Sequence, residues 1–211
     1  MRPPRLARLS MALSLLALSG CGATSSTVDV GYPELAANRS MLASAPPRRI
    51  AISPVADRRM ETTRIGSRPK DKGDILTSRP VPTIVREAIV VEVSKNGHSV
   101  RSDAADVILT AAVEAFWLDI IIGGDSSTQY VGRVVIALTV ADGYRGDSLL
   151  TRRYIGIKRQ QVDKASEGAW RDVMDAALAR AMHDFATDPD LVAILSRAPT
   201  ATPVRDGHRT G

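Results

Sequence analysis

The sequence predicts an α+β domain in which two helices cover one face of a mostly antiparallel sheet. Three observations predict this fold: a short apolar strand followed by a helical pattern, three long stretches of alternating apolar residues joined by short turns, and an amphipathic helix after them. Short connections between consecutive strands are typical of an antiparallel meander. We therefore expect a strand, a helix and a three- to four-strand meander in a single domain over residues 48–196.

The first strand is predicted over residues 49–55, with Ile50 and Ile52 on one face. Pro54 places the end of this strand at an edge or exit of the sheet. The polar stretch 56–79 has no clear periodicity and predicts a long loop.

Residues 80–96 are ambiguous between a helix and a strand. Their apolar residues have helical spacing, Thr83 is a suitable cap and Asn96-Gly97 is a good C-terminal stop. The many β-branched residues favour a strand instead. We interpret the segment as a helix, because only three residues would be available for a hairpin partner.

Three long strands follow, over residues 106–120, 129–141 and 149–160. Regular alternation on the first strand places Val107, Ala115 and Trp117 on one face and Glu114 on the outer face. On the third strand, Leu149, Ile155 and Ile157 share a face. We expect the outer face of the meander to carry a group of polar residues among apolar ones: Arg133, Arg152, Tyr154 and Lys158.

Residues 170–185 give the clearest helical pattern, with apolar residues at i, i+3, i+4 and i+7. Asp188 and Pro189 predict a second, short helix that runs to residue 195, with the aspartate as its cap. The polar residues 197–211 predict a disordered tail.

The amino terminus has the pattern of an export signal. Arg2, Arg5 and Arg8 precede the apolar run 9–18, which is too short to cross a membrane as a helix. The next residues, Leu18-Ser19-Gly20-Cys21, resemble the bacterial lipobox.

That resemblance implies acylation of the Cys21 thiol and cleavage between Gly20 and Cys21. Residues 1–20 are then a lipoprotein signal peptide, and 21–47 are a lipidated flexible tether rich in small and polar residues. The membrane is the expected partner, through acyl chains on Cys21. By the same resemblance, Gly22 favours the outer membrane over the inner one. A plain secretory signal with an incidental cysteine is the alternative.

Charge and composition exclude several classes of function. The formal charge of +5 falls to +2 without the three arginines of residues 1–20, which is too little to support nucleic-acid binding. A single cysteine excludes an internal disulfide and a cysteine-rich metal site. Three scattered histidines do not predict a metal centre, and we expect His98 and His183 at the surface or at a helix edge. We expect no cofactor.

Most of the mature chain, roughly residues 49–195, resembles the YajG-type bacterial lipoproteins. The resemblance rests on the lipobox, on Ile65-Gly66 in a polar segment after the first strand, and on a helix that ends in Asn-Gly. An Ala-Asp-Val strand start at 105–107, a meander and a final helix followed by Asp-Pro-Asp-Leu complete it. The family has no accepted active site, so no catalytic residue is implied.

The long loop holds the main candidate for a binding site. Arg58, Arg59, Arg64 and Arg68 could grip phosphate or carboxylate, including the head groups of anionic lipids. Acidic residues lie between these arginines, so a solvated loop is the alternative.

No nucleophile–base pair, metal-ligand set or phosphate loop can be assembled from the sequence. We therefore expect a non-enzymatic lipoprotein facing the periplasm, which binds or scaffolds an envelope protein or an anionic lipid. The alternative, by analogy of fold, is an accessory subunit of an ABC-type lipid or solute transport system.

Overall fold

The computed structural model describes residues 25–32, 39–69, 73–124, 127–162 and 166–197. The lipobox with Cys21 and the C-terminal tail from residue 198 onward lie outside the described residues. The described chain forms nine strands, three α-helices and a short 3₁₀ helix at Met41–Ser44. The strands are β1 (Ser26–Val28), β2 (Arg49–Ile52), β3 (Ala56–Asp57), β4 (Gly66–Ser67), β5 (Asp74–Thr77), β6 (Ser99–Val100), β7 (Val107–Ile122), β8 (Thr128–Asp142) and β9 (Ser148–Val162). The helices are α1 (Val81–Lys95), α2 (Glu167–Ala186) and α3 (Pro189–Ser196).

All nine strands belong to one mixed sheet built around β7. One edge of β7 pairs antiparallel with β8, which pairs antiparallel with β9. The other edge of β7 pairs in succession with the short strands β2, β3 and β4, all of them parallel to it. The α+β class is confirmed, but the expectation of a mostly antiparallel sheet is wrong. The helix α1 lies between β5 and β7 in the chain, and such a crossover allows later strands to run parallel to earlier ones.

The predicted meander and helices are confirmed, with boundaries that differ by no more than three residues. The helix α2 packs on β8 and β9, and α1 packs on β7 and against α2. Asp188 caps α3 as predicted, since its Oδ1 accepts from the backbone N–H groups of Asp190 and Leu191. Thr83, however, is not a cap, because α1 begins at Val81 with Pro80 before it.

Two glycines let α2 lie close to the sheet. A Cβ on Gly156 of β9 would lie 1.8 Å from the backbone oxygen of Ala177, and one on Gly132 of β8 would lie 2.9 Å from that of Val173. Any side chain at these positions would push the helix away from the strands.

The amino-terminal segment and the loop predicted over 56–79 are more ordered than expected. The strand β1 pairs parallel with β5, and Val28, Val30 and Leu42 are buried in the core. The described part of the expected tether is therefore part of the domain, which begins by residue 26 and not at 48. The stretch 56–79 contains β3, β4 and β5, whose anchors Ile65 and Ile75 are also buried. Among the described residues, no helix has the length and apolar character needed to cross a membrane.

Candidate functional site

The candidate site is the face of β7, β8 and β9 that the helices do not cover, which we call the outer face. Cross-strand pairing places Arg133 and Val135 of β8 beside Ile157 and Ile155 of β9. These two isoleucines are 45 % and 48 % exposed, although neighbouring positions on the other face are buried. The outer face thus presents large apolar side chains beside cationic ones, a combination that is typical of interaction surfaces.

A β-bulge in β7 sets which residues reach this face. The register with β8 shifts between Val113 and Ala115, so that Glu114 is an extra residue on β7. Beyond the bulge, Phe116 is buried in the core. The expectation that Ala115 and Trp117 share the face of Val107 is therefore wrong, whereas the outer position of Glu114 agrees with the ion pair described next.

An open groove of about 700 Å³ runs over the outer face next to the bulge. Arg153 of β9 donates to both carboxylate oxygens of Glu114, at 2.8 and 3.2 Å. Threonine hydroxyls lie beside this ion pair, with Thr139 and Thr151 in a side-chain hydrogen bond across the strands at 3.3 Å. The groove is thus lined by hydroxyl donors and acceptors and by the guanidinium of Arg153, which is paired with Glu114.

A second, smaller depression of about 300 Å³ is apolar and shares Glu114 with the groove. Trp117 lines it and donates from its indole Nε1 to Asp119 at 2.9 Å. Met60, which also lines it, is fully exposed. An exposed methionine next to a tryptophan is suited to adaptable apolar contact.

The four arginines of the predicted anion-binding loop do not act alike. Arg59 is buried and donates to both carboxylate oxygens of Asp57, at 2.9 and 2.8 Å, and to the backbone oxygens of Thr62 and Arg64. Hydrogen bonds from Arg59 hold the pKa of Asp57 below its usual range, although partial burial opposes the shift. Arg59 therefore shapes the loop from within and has few donors left for a ligand.

The other three differ in exposure and in partners. Arg64 donates to Asp74 at 2.7 Å and lies over the ring of Trp117, with its Cζ 6.0 Å from the ring centre. Arg68 is half-buried, whereas Arg58 is exposed and lines the groove. Anion binding by this loop stays a prediction, and the structure gives Arg58 the most open position in it.

The outer face was predicted to carry four polar residues, and only Arg133 lies there. Arg152, Tyr154 and Lys158 pair with Leu138, Ile136 and Gly132, which belong to the covered face of β8. Tyr154 is buried there and donates to Asp188 at 2.9 Å, so that burial, together with this bond, raises the pKa of its hydroxyl.

Buried polar residues of α1 and of its C-terminal end hold the amino-terminal segment in place. The Tyr32 hydroxyl donates to the buried Glu92 of α1, which also pairs with Lys95. Asn96 accepts from the backbone N–H of Ser40 at 2.8 Å. These bonds connect the segment before β2 to α1.

His98 is buried as well, which corrects the expectation of a surface histidine. Its Nδ1 accepts from the backbone N–H of Arg48 at 3.2 Å, and its Nε2 lies 3.2 Å from the backbone oxygen of Leu42. Burial lowers the pKa of His98. This bonding gives the imidazole a structural role. His183 is exposed on α2, as expected.

Across the ranges that the structure describes, no three His, Cys, Asp or Glu side chains are grouped so that they could hold a metal ion. No protein-family model matches the chain, and no curated protein matches it.

Several solved structures are similar to this chain at low identity. A protein of the DUF330 family from Xanthomonas campestris is 13 % identical with a TM-score of 0.56, over 81 % of this chain and 96 % of that one. Lipoprotein GNA1162 from Neisseria meningitidis is 12 % identical with a TM-score of 0.33, over 63 % and 95 % of the two chains. A minor lipoprotein from Acinetobacter baumannii is 10 % identical with a TM-score of 0.38, over 65 % and 91 %. The first of these likenesses shows a common fold.

Proposed function

We propose that this chain is a bacterial envelope lipoprotein that is anchored through acyl chains on Cys21 and acts by binding or scaffolding at the periplasmic face of the membrane. The observation that carries the binding role is the outer face, where Ile155 and Ile157 remain about half exposed beside cationic side chains. A monomer without a partner gains nothing from keeping such residues in water. The covered face supplies the stability of the fold.

The anchor and the fold together limit where this face works. Ser26, the first residue of β1, comes only five positions after Cys21. Since an extended chain spans at most about 3.6 Å per residue, Ser26 lies within about 18 Å of the acylated residue. The proposed lipoprotein is thus held against the membrane surface instead of hanging on a long tether. Membership of the YajG-type family and a place in the outer membrane belong to this proposal and rest on sequence resemblance alone.

Metabolic labelling with palmitate tests the anchor. The chain with Cys21 should incorporate label and sediment with membranes, and Cys21→Ala should lose the label and either leave the membrane or accumulate as uncleaved precursor. Ser19→Ala is the matched control, because it keeps a small residue before the cleavage site. Equal labelling of the wild type and Cys21→Ala would overturn the proposal.

A further inference from the structure

The strand β9 has one edge without a strand partner. It pairs with β8 along its whole length, and no other described strand pairs with it. Such an edge presents a row of backbone N–H and C=O groups that a further strand can use. With 15 residues, β9 is long for an edge strand, since protected edges are usually short.

The side chains along β9 carry a simple pattern. On the outer face, Arg153, Ile155, Ile157 and Arg159 follow one another at alternate positions, so that two apolar residues lie between two cations. All four are exposed. In a sheet, each side chain contacts the one directly opposite on the neighbouring strand.

We infer that the free edge of β9 binds an extended segment of a partner protein by strand addition, and that this segment presents acidic, apolar, apolar and acidic residues at alternate positions. Backbone hydrogen bonds supply affinity in this mode, and the alternate side chains supply specificity. The inference rests on the proposed function, because it names the partner for the same surface.

Charge favours an acidic partner. Four basic residues and no acidic one occur in β9. Two of them already form ion pairs within the chain. Arg153 pairs with Glu114, and Arg152 pairs with Asp188 and Asp190. Lys158 and Arg159 form no ion pair within the described part of the chain, and both are exposed. The acidic residue that faces Arg159 therefore matters more than the one that faces Arg153.

The same observations disfavour two other occupants. A second copy could pair its β9 antiparallel with this one about a two-fold axis at Gly156. Arg153 of each copy would then lie opposite Arg159 of the other, and these like charges would repel each other. Insertion of the edge into a bilayer would leave its backbone groups without hydrogen-bond partners, which is strongly unfavourable in hydrocarbon. An acidic strand would supply partners both for the basic side chains of β9 and for the backbone N–H and C=O groups of its free edge.

A nine-residue synthetic peptide tests this inference directly on the full chain purified in detergent. Threonines occupy its odd positions, and glutamate, isoleucine, isoleucine and glutamate occupy its even ones. Because this peptide is symmetric, it presents the required pattern in both strand directions. A second peptide has lysines in place of the glutamates, and a third has the first sequence with methylated backbone nitrogens.

Fluorescence anisotropy should show at least tenfold tighter binding of the acidic peptide than of the lysine and the methylated peptides. Arg159→Glu should reverse the preference between glutamate and lysine. Arg86→Glu, at an exposed arginine of α1, should leave it unchanged. Hydrogen exchange should slow at the β9 amides when the acidic peptide is added.

Three results would overturn the inference. These are equal binding of the three peptides, unchanged exchange of β9 amides in the bound state, and self-association that Arg159→Glu strengthens, which would assign the edge to a second copy. Preferential binding to vesicles of anionic lipid over the acidic peptide would likewise replace the protein partner by a lipid surface. None of these results depends on palmitate labelling of Cys21. The proposal of the lipid anchor and the inference of strand addition at β9 are therefore tested independently.

Discussion

The two faces of the long strands β7, β8 and β9 differ in what covers them. On the covered face of β8, Val134, Ile136 and Leu138 are at most 1 % exposed, because α2 lies on them. On the outer face of β9, Ile155 and Ile157 are about half exposed. Full burial of a large aliphatic side chain contributes about 1.5–3 kcal/mol to stability, so most of the stabilisation comes from the covered face. Residues of the outer face are therefore free to serve binding.

The largest expected effect on stability comes from adding a side chain between β9 and α2. In Gly156→Ala, the new Cβ would meet the backbone oxygen of Ala177 at 1.8 Å, and this contact can be relieved only by moving the helix. We expect a loss of at least about 3 kcal/mol in the free energy of unfolding, which thermal melting detects as a fall of roughly 6 °C or more. Gly168→Ala is the control, because a Cβ there meets nothing within 4 Å. Equal melting of the two variants would mean that α2 does not pack on β9 as described.

The pH dependence of the unfolding free energy tests the burial of His98. His98 is buried and its pKa lies below that of the unfolded chain, so the folded protein keeps the imidazole neutral where the unfolded chain begins to bind a proton. The contribution of this group is complete well above about pH 6.5 and is lost as the pH falls below it. His98→Gln should flatten the fall in unfolding free energy below pH 6.5, as measured by urea denaturation. A wild-type slope in His98→Gln would remove His98 as its source.

The smallest effect on stability is expected on the outer face. Ile155→Thr and Ile157→Thr replace half-exposed side chains with another β-branched residue, so each should change the free energy of unfolding by no more than about 0.5 kcal/mol. Denaturant titration checks this. A loss as large as that of Gly156→Ala would mean that the outer face is part of the core.

Periodicity predicted the antiparallel half of the sheet and the final helices, because long amphipathic elements have an unambiguous pattern. The parallel half could not be predicted in the same way. The strands β3 to β6 contain only two to four residues each, so they show no period. The strands β2, β3 and β4 pair with β7, which is distant from them in sequence. Val28 and Leu42 were missed for a similar reason, since isolated apolar residues in a stretch of small polar ones do not distinguish a tether from a packed segment.

The candidate site was predicted in part. The outer position of Glu114 followed from alternation, but the bulge beside it did not, because β7 is apolar on both of its faces. A register shift in such a strand leaves the hydrophobic pattern unchanged. For the loop arginines, residue type indicated anion binding, whereas the structure places Asp57 and backbone oxygens around Arg59. The sequence did contain a signal for the outer face, because Ile155 and Ile157 alternate with Gly156. The glycine lies on the face that α2 approaches closely, so the two isoleucines lie on the opposite face.

Photo-crosslinking from the two faces in intact envelopes tests the central claim that the outer face binds a partner. A photo-reactive phenylalanine derivative replaces Ile157 on the outer face or Asp172 on the exposed side of α2. From position 157 we expect an adduct of defined mass with a protein that has an acidic strand. This adduct should disappear when the same chain also carries Arg159→Glu. Position 172 should give no such adduct. Identical adducts from both positions, no adduct from 157, or an adduct only with a second copy of the chain would contradict the account.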